Sequence, residues 1–168
     1  MSVIDNNKPQ AAPPPGFGDS LDYVTVRIGE QLFGLPIGRV QDVFIANRIT
    51  AVPRAPDEIV GLLNLRGRVV TAMCLRKRLG RPAPLKFDAR GRAELTAIGI
   101  EHEGEAFALI VDAVGEVIRL DRSTLEPLPV HLDRIWAALA MGVHRLSDQL
   151  LVILDLDAVL DLDLRAAA

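Results

Sequence analysis

One stretch decides the fold of this chain: Phe33-Gly34-Leu35-Pro36-Ile37-Gly38-Arg39-Val40-Gln41-Asp42-Val43. It recurs as Phe107-Ala108-Leu109-Ile110-Val111-Asp112-Ala113-Val114-Gly115-Glu116-Val117, and both copies fit F-[GA]-L-x-[IV]-x-x-V-x-[DE]-V without a gap. A chain that repeats once at such a period is two copies of one module packed together. Two copies leave a seam between them, and seams of this kind commonly bind a ligand or a partner.

A second set of matching positions extends the repeat in the same order. Gly61 matches Gly142, Leu65 matches Leu146, Val69-Val70 matches Leu150-Leu151, and Leu75 and Leu79 match Leu156 and Leu160. We therefore place the repeats near residues 29–80 and 104–161 and expect two interleaved barrel modules.

Composition narrows the class of protein. The 168 residues are 49% hydrophobic but only 4% aromatic, which predicts an aliphatic core, and the net charge of −3 argues against a nucleic-acid partner. The single cysteine, Cys74, excludes an internal disulfide and fits a reducing cytosol. No apolar run approaches the roughly 18–20 residues of a membrane span, and the N-terminus lacks a signal-peptide pattern. We expect a cytoplasmic protein.

Two segments depart from the globular pattern. Residues 1–20 are rich in proline and poor in core residues, which predicts a disordered tail. Residues 76–92 form a linker between the copies with seven basic residues and one acidic residue, Asp88. This basic linker is interpreted as a solvated loop, and an acidic partner or nucleic acid is the alternative.

Short periodic segments predict a mainly β protein with a few short helices. The predicted strands are residues 23–28, 31–35, 69–73, 94–100, 105–111 and 150–154. The predicted helices begin at Pro36 (through Val40 and Val43), Pro56 (through Ile59, ended by Gly61), Leu75 and Leu156, the last running to Leu164. Paired small β-barrels fit this balance better than a doubly wound sheet, which needs long helices between strands.

Enzyme and metal signatures are absent from the sequence. It has no phosphate-binding loop, no nucleophile elbow and no dinucleotide fingerprint, and His102, His131 and His144 lie far apart. A calcium loop starting at Asp155 fails because Leu160 stands where glycine is required. Asp155 is instead expected to cap a helix. We expect no catalysis, no cofactor and no bound metal.

One segment contains residues that neither core packing nor a turn explains. Asn64-Leu65-Arg66-Gly67 lies between apolar runs, and asparagine and glycine favour a turn that would present Arg66 at the rim of a barrel. The sister copy has His144-Arg145-Leu146-Ser147 in place of residues 63–66, so the asparagine and arginine indicate recognition. A surface salt bridge remains the alternative role for Arg66.

The same segment carries a resemblance to a known family. V-P-x-A-P-x-x-I-x-G-x-x-N-L-R-G, from Val52 to Gly67, resembles the signature of CheW-type chemotaxis coupling proteins. The similarity continues through Val40–Val43, residues 104–114 and residues 150–160, and it covers residues 21–165 as one CheW-like domain. It implies two five-stranded SH3-like β-barrels around a shared apolar seam. It also implies a non-enzymatic cytoplasmic adaptor, located at membrane-associated receptor arrays, that couples the regulatory domain of a CheA-type histidine kinase to the cytoplasmic tips of chemoreceptors.

The resemblance also implies a set of partner-binding residues. Asn64, Leu65, Arg66 and Gly67 fall in the binding motif; Val40, Asp42 and Val43 match a helix-to-strand segment implicated in partner contacts; Val111 and Asp112 match the seam side of the second barrel. The chain departs from the family pattern V-I-P-V-I-D-L-R, because residues 69–76 read V-V-T-A-M-C-L-R. A CheW-like adaptor of a different chemosensory pathway, a nucleic-acid-binding barrel and an enzyme remain the alternatives.

Overall fold

A computed structural model describes residues 20–83 and 92–162, with the side chains of residues 92 and 93 excepted. Within these ranges the chain forms ten strands: β1 (Ser20–Ile28), β2 (Gln31–Pro36), β3 (Val40–Arg48), β4 (Ile59–Leu65), β5 (Arg68–Cys74), β6 (Arg92–His102), β7 (Glu105–Val111), β8 (Ala113–Asp121), β9 (Ala140–Arg145) and β10 (Leu150–Leu154). Three short α-helices accompany them: α1 (Leu75–Arg78), α2 (Arg134–Leu139) and α3 (Leu156–Leu160).

The strands form two five-stranded sheets, ordered β8-β1-β2-β10-β9 and β3-β6-β7-β5-β4. Each sheet is closed by one bridge between its edges. Thr50 and Leu62 exchange two backbone hydrogen bonds of 2.8 Å in one sheet, and Glu126 and Val143 exchange bonds of 2.8 and 2.9 Å in the other. The expected pair of five-stranded barrels is therefore confirmed. We call the sheet containing β1 the first barrel and the sheet containing β3 the second barrel.

The barrels do not coincide with the sequence repeats. The repeat near residues 29–80 and the strand before it supply β1–β5, and the repeat near residues 104–161 and the strand before it supply β6–β10, but the first barrel combines β1 and β2 with β8–β10. The exchange is made by two parallel strand pairs, β2 with β10 (Phe33 opposite Val152) and β5 with β7 (Met73 opposite Leu109). Each barrel contains strands from both repeats, so neither repeat can form a closed barrel by itself.

A single apolar core spans the two barrels. Phe33 and Leu35 of the first barrel and Met73 and Leu109 of the second are all fully buried in one cluster. Helix α2 adds Trp136, whose ring meets Phe33 edge to face with centroids 5.2 Å apart. Its indole N–H donates to the Leu79 carbonyl at 3.0 Å, so this large side chain is buried without an unsatisfied donor. The core lies at the seam and is aliphatic apart from these rings and that of Phe107.

The structure corrects two of the helix predictions. Val40 to Val43 lie in strand β3, preceded only by a 3₁₀ turn at Ile37–Arg39, because Pro36 ends β2 and the chain extends again immediately. Ile59 begins strand β4, and Gly61 lies inside that strand instead of ending a helix. A Cβ at position 61 would lie 2.3 Å from the Thr50 carbonyl oxygen, so this glycine permits the close approach that shuts the second barrel.

The other strand predictions agree with the structure to within a few residues, and both helices after the buried strands are present. Helix α3 ends at Leu160, short of the predicted Leu164. Asp155 caps α3, as expected, by accepting from the Ala158 N–H at 3.3 Å. Cys74 holds the equivalent place before α1, buried and without a side-chain cap bond. Strands β3, β4, β8 and β9 and helix α2 had not been predicted.

The predicted tail lies almost entirely outside the described residues, and the predicted linker does so in part. Ser20 already belongs to β1, where it pairs with Asp121, and residues 1–19 are not described. The beginning of the basic linker, through Arg78, is helical, and residues 84–91 are not described. No helix within residues 20–83 and 92–162 is long and apolar enough to cross a membrane.

Stability is expected to fall as the pH drops below about 6.5, the ordinary pKa of histidine, through His144. Its ring is buried, with Nδ1 3.1 Å from the Thr124 hydroxyl, and burial lowers the pKa of His144 although Glu126 partly opposes this. Below that pH the His144 ring binds a proton in the unfolded state but stays neutral in the folded state. Urea midpoints measured from pH 8 to pH 5.5 should therefore decline, and His144→Gln should flatten the decline. An equal slope in both proteins would contradict this assignment.

Candidate functional site

The N-L-R-G motif forms the hairpin between β4 and β5. Asn64 and Leu65 are the last residues of β4, and Arg66 and Gly67 are the two turn residues, with φ of 53° and 83°. Positive φ at both central positions is the geometry that matches the twist of a two-residue hairpin. The Gly67 N–H donates to Asn64 Oδ1 at 2.9 Å, which fixes the turn from within. The asparagine and the glycine thus hold Arg66 at the tip.

Arg66 meets Asp42, which lies on β3. An Arg66 guanidinium nitrogen lies 3.3 Å from Asp42 Oδ2, and the two side chains are 79% and 26% exposed. Asp42 sits opposite Gly99 of β6, where a Cβ would come within 2.4 Å of Asp42 Oδ1. Gly99 therefore makes the room that the carboxylate occupies. The Arg66–Asp42 pair brings together two of the segments that the sequence singled out.

This pair combines both roles considered for Arg66. It is a surface salt bridge, but an exposed pair is worth no more than about 1 kcal/mol, so folding alone gives little reason for it. Most of the guanidinium faces solvent at the rim and keeps donors available. The cavity beside the pair holds only about 140 Å³, below the roughly 300–1,000 Å³ of small-molecule pockets. The geometry suits contact with another protein's surface.

Exposed apolar side chains accompany the pair on the second barrel. Along β3, Val43 and Ile45 point outward and are 48% and 52% exposed, while Val40 packs against the core. On β5, Val69 is 67% exposed and stands opposite Asn64. Apolar side chains beside a charged rim are the usual composition of a protein-binding surface. Ile45, Val69 and Gly99 were missed from the sequence, and apolar residues on both faces of β3 hide the alternation that would have marked Ile45 as outward-facing.

Val111 and Asp112 lie elsewhere, between the barrels. Val111 is buried in the core that the two barrels share. Asp112 accepts from the Gly29 N–H at 2.7 Å and pairs with Arg76 at 2.5 Å. The Arg76 guanidinium, aided by the Gly29 N–H, holds the pKa of Asp112 below its ordinary value.

These contacts give Asp112 a structural role. Gly29 belongs to the β1–β2 turn of the first barrel, whereas Arg76 lies on α1 after the second barrel, so Asp112 joins the two. A cavity of about 360 Å³ opens beside it, lined by Val111 and by Leu95 and Thr96 of β6. The sequence-derived set of site residues therefore divides into a rim site at Arg66–Asp42 and a junction at Val111–Asp112.

The fold defines a class: modules of two five-stranded β-barrels that share one core. The chain belongs to the CheW-like domain family, whose model matches residues 22–163.

Individual relatives agree with this assignment. The chain is 25% identical over 143 residues to "Chemotaxis protein CheW" of Helicobacter pylori, covering 85% of this chain and 83% of the relative. It is 26% identical to the protein of the same name from Rhizobium meliloti, over 88% of this chain and 92% of the relative. Among solved structures, the scaffolding protein TtCheW of Thermoanaerobacter tengcongensis is similar with a TM-score of 0.72 and 32% identity, over 84% and 92% of the two chains.

Proposed function

We propose that this protein is a non-enzymatic adaptor that couples the regulatory domain of a CheA-type histidine kinase to the cytoplasmic tips of chemoreceptors. The observation that carries the proposal is the Arg66–Asp42 pair on a barrel rim, beside the exposed Val43 and Val69. An adaptor must hold two partners at once and so needs two separable surfaces. The rim site and the cavity beside the Val111–Asp112 junction are the two surfaces that we assign to this task, in the cytoplasm at receptor arrays.

Service in a chemosensory pathway other than the main chemotaxis system is the second candidate. It is favoured by the departure at residues 71–74. Where the family pattern reads P-V-I-D, this chain reads Thr71-Ala72-Met73-Cys74. Ala72, Met73 and Cys74 are buried in the structure, so the departure changes packing and helix capping and leaves the rim site intact.

Titration against two purified partners tests the proposal. The kinase regulatory domain and a receptor-tip fragment are each titrated into the protein, alone and then with the other partner present. The proposal requires that each partner binds and that both are held in one complex, as measured by calorimetry and by light scattering. If neither partner binds, or if each excludes the other completely, the adaptor function is wrong.

Arg66→Glu is expected to weaken binding of one partner by more than about 1 kcal/mol, as for an arginine at the centre of an interface. The substitution reverses the charge at the hairpin tip and places a second carboxylate beside Asp42. The free energy of unfolding should change by less than about 1 kcal/mol because the pair is exposed. Both affinities and the melting temperature are measured.

Arg145→Glu is the matched control for Arg66→Glu. Arg145 is the last residue of β9, the strand of the first barrel that corresponds to β4; it is 74% exposed and pairs with Glu126 at 3.0 Å. It should leave both affinities near the wild-type values. Wild-type affinities in Arg66→Glu would show that the hairpin is structural, and a collapse of folding would show that Arg66 is a folding residue.

A further inference from the structure

A second groove lies between α1 and α2, and the rim site does not use it. It encloses about 690 Å³ and shares no lining residue with the cavity beside Arg66 and Asp42. Its lining includes the basic residues Lys77, Arg81 and Arg134, which we call its rim, and the exposed apolar residues Ile135 and Ala138 of α2, which we call its floor. We call it the α1–α2 groove. Its volume is in the range of true binding sites, whereas the rim-site cavity is too small.

The floor of the groove is apolar surface left open to solvent. Ile135 is 45% exposed although it is aliphatic, and Ala138 is exposed beside it on α2. The far side of the same helix is buried through Trp136 and Leu139 in the shared core. Because the buried face holds α2 in place, the exposed apolar face of the helix is already ordered before a ligand binds.

The rim of the groove is positively charged. Within the described residues, Arg134 has no carboxylate at salt-bridge distance, and Arg81 lies over the Trp136 ring with its guanidinium carbon 4.6 Å from the centroid. The charge of Arg81 also acts on the Asp112 carboxylate, but that carboxylate already accepts hydrogen bonds from Arg76 and from the Gly29 N–H.

The carboxylates that line the groove are already engaged. Asp57 pairs with Lys77 at 3.5 Å, and Glu58 is buried. The charge left facing an incoming ligand is therefore that of Arg81 and Arg134. Two cations above an apolar floor complement a ligand that is acidic on one side and apolar on the other.

We propose that the α1–α2 groove binds an acidic amphipathic segment of a partner protein. Its apolar side chains would rest on Ile135 and Ala138, and its carboxylates would pair with Arg81 and Arg134. Laying the apolar face of a short helix in a groove is a common mode of peptide recognition, and the flanking charges then fix its register. The site is independent of the proposed adaptor function, because none of its residues belongs to the rim site.

A synthetic peptide probes the groove directly. The peptide is fluorescein-labelled, about five helical turns long, with leucine on one face and glutamate on the other. Its binding to the full chain is measured by fluorescence anisotropy at low and at high salt, with a second peptide in which glutamine replaces glutamate. We expect the acidic peptide to bind at least about tenfold more tightly than the glutamine peptide, and the difference to shrink at high salt.

Variants locate the binding to the groove. Arg134→Glu and Ala138→Glu should each weaken the acidic peptide by at least about tenfold, as for central interface positions. Arg48→Glu, an exposed arginine that lines none of the described cavities, is the control and should bind as the wild type does. Melting temperatures are recorded for each variant, and Arg134, which makes no salt bridge within the described residues, is expected to be tolerated.

Three outcomes would overturn the proposal. Equal binding of the two peptides would show that the rim charges do not select an acidic ligand. Unchanged binding in Arg134→Glu and Ala138→Glu would place the peptide elsewhere. Self-association of the wild type in sedimentation velocity, abolished by Arg134→Glu, would show that the groove holds a second copy of this chain. If the peptide experiment fails but the kinase regulatory domain and the receptor tip both bind the protein in the titrations, the groove proposal is wrong and the adaptor proposal is unaffected.

Discussion

Arg78→Met is expected to lower the free energy of unfolding by about 3–5 kcal/mol, because it removes three hydrogen bonds from a charged donor and such bonds contribute about 1.5–3 kcal/mol each when buried. Arg78 is 7% exposed and extends from α1 to the end of α3. Its guanidinium donates to the carbonyls of Val159 at 2.8 Å, Ala158 at 2.9 Å and Asp161 at 3.0 Å. The last carbonyls of a helix have no partner within it, so Arg78 supplies the donors that α3 lacks.

The effect is large because α1 and α3 belong to different repeats, and Arg78 joins them at the seam. Methionine keeps part of the aliphatic stem but leaves three carbonyls without these donors. Lys77→Met is the matched control, since it removes the neighbouring charge, whose pairing with Asp57 is exposed. Urea denaturation of both variants measures the difference. A loss in Arg78→Met no larger than in Lys77→Met would show that water replaces the guanidinium.

Gly61→Ala is expected to destabilise the protein by about 1–3 kcal/mol, the usual cost of an added methyl group in a packed site. The new Cβ would stand 2.3 Å from the Thr50 carbonyl oxygen and 2.7 Å from Ile49 Cγ2. Backbone cannot yield as a flexible side chain does, so the Thr50–Leu62 bridge that closes the second barrel must open or shift. Loss of the slow-exchanging Leu62 amide in hydrogen exchange would show this directly.

Gly38→Ala is the control for the glycine substitution. Nothing lies within 4 Å of a Cβ at position 38, so the change should stay within about 0.5 kcal/mol, as for most surface substitutions. Gly142, the repeat partner of Gly61, approaches the Glu126 carbonyl in the same way, with a Cβ distance of 2.7 Å. If Gly61→Ala proves as mild as Gly38→Ala, barrel closure tolerates the methyl group and the close approach is not required.

Much of the fold could be predicted from the sequence because its signals are local. The duplicated stretch at residues 33–43 and 107–117, the β-branched runs and the Gly29-Glu30 turn each depend on neighbouring residues. The six strands predicted from these signals are present in the structure, whereas β3, β4, β8 and β9 were not predicted. The error at Val40–Val43 has a physical cause. Pro36 is compatible with both a helix start and a strand end, and apolar residues on both faces of β3 hide its alternation.

The sequence by itself determined that the chain is duplicated, mainly β and aliphatic in its core, and that Asn64 and Gly67 make a turn with Arg66 at its tip. Only the tertiary structure decided which strands share a barrel, because parallel pairing of β2 with β10 and of β5 with β7 joins segments distant in the chain and leaves no local pattern. The same nonlocal pairing sets Asp42 beside Arg66 and buries Val111 while Asp112 joins the barrels. Burial and ion pairing are decided by what the fold brings opposite a residue, and the residue's own neighbours in sequence do not contain that information.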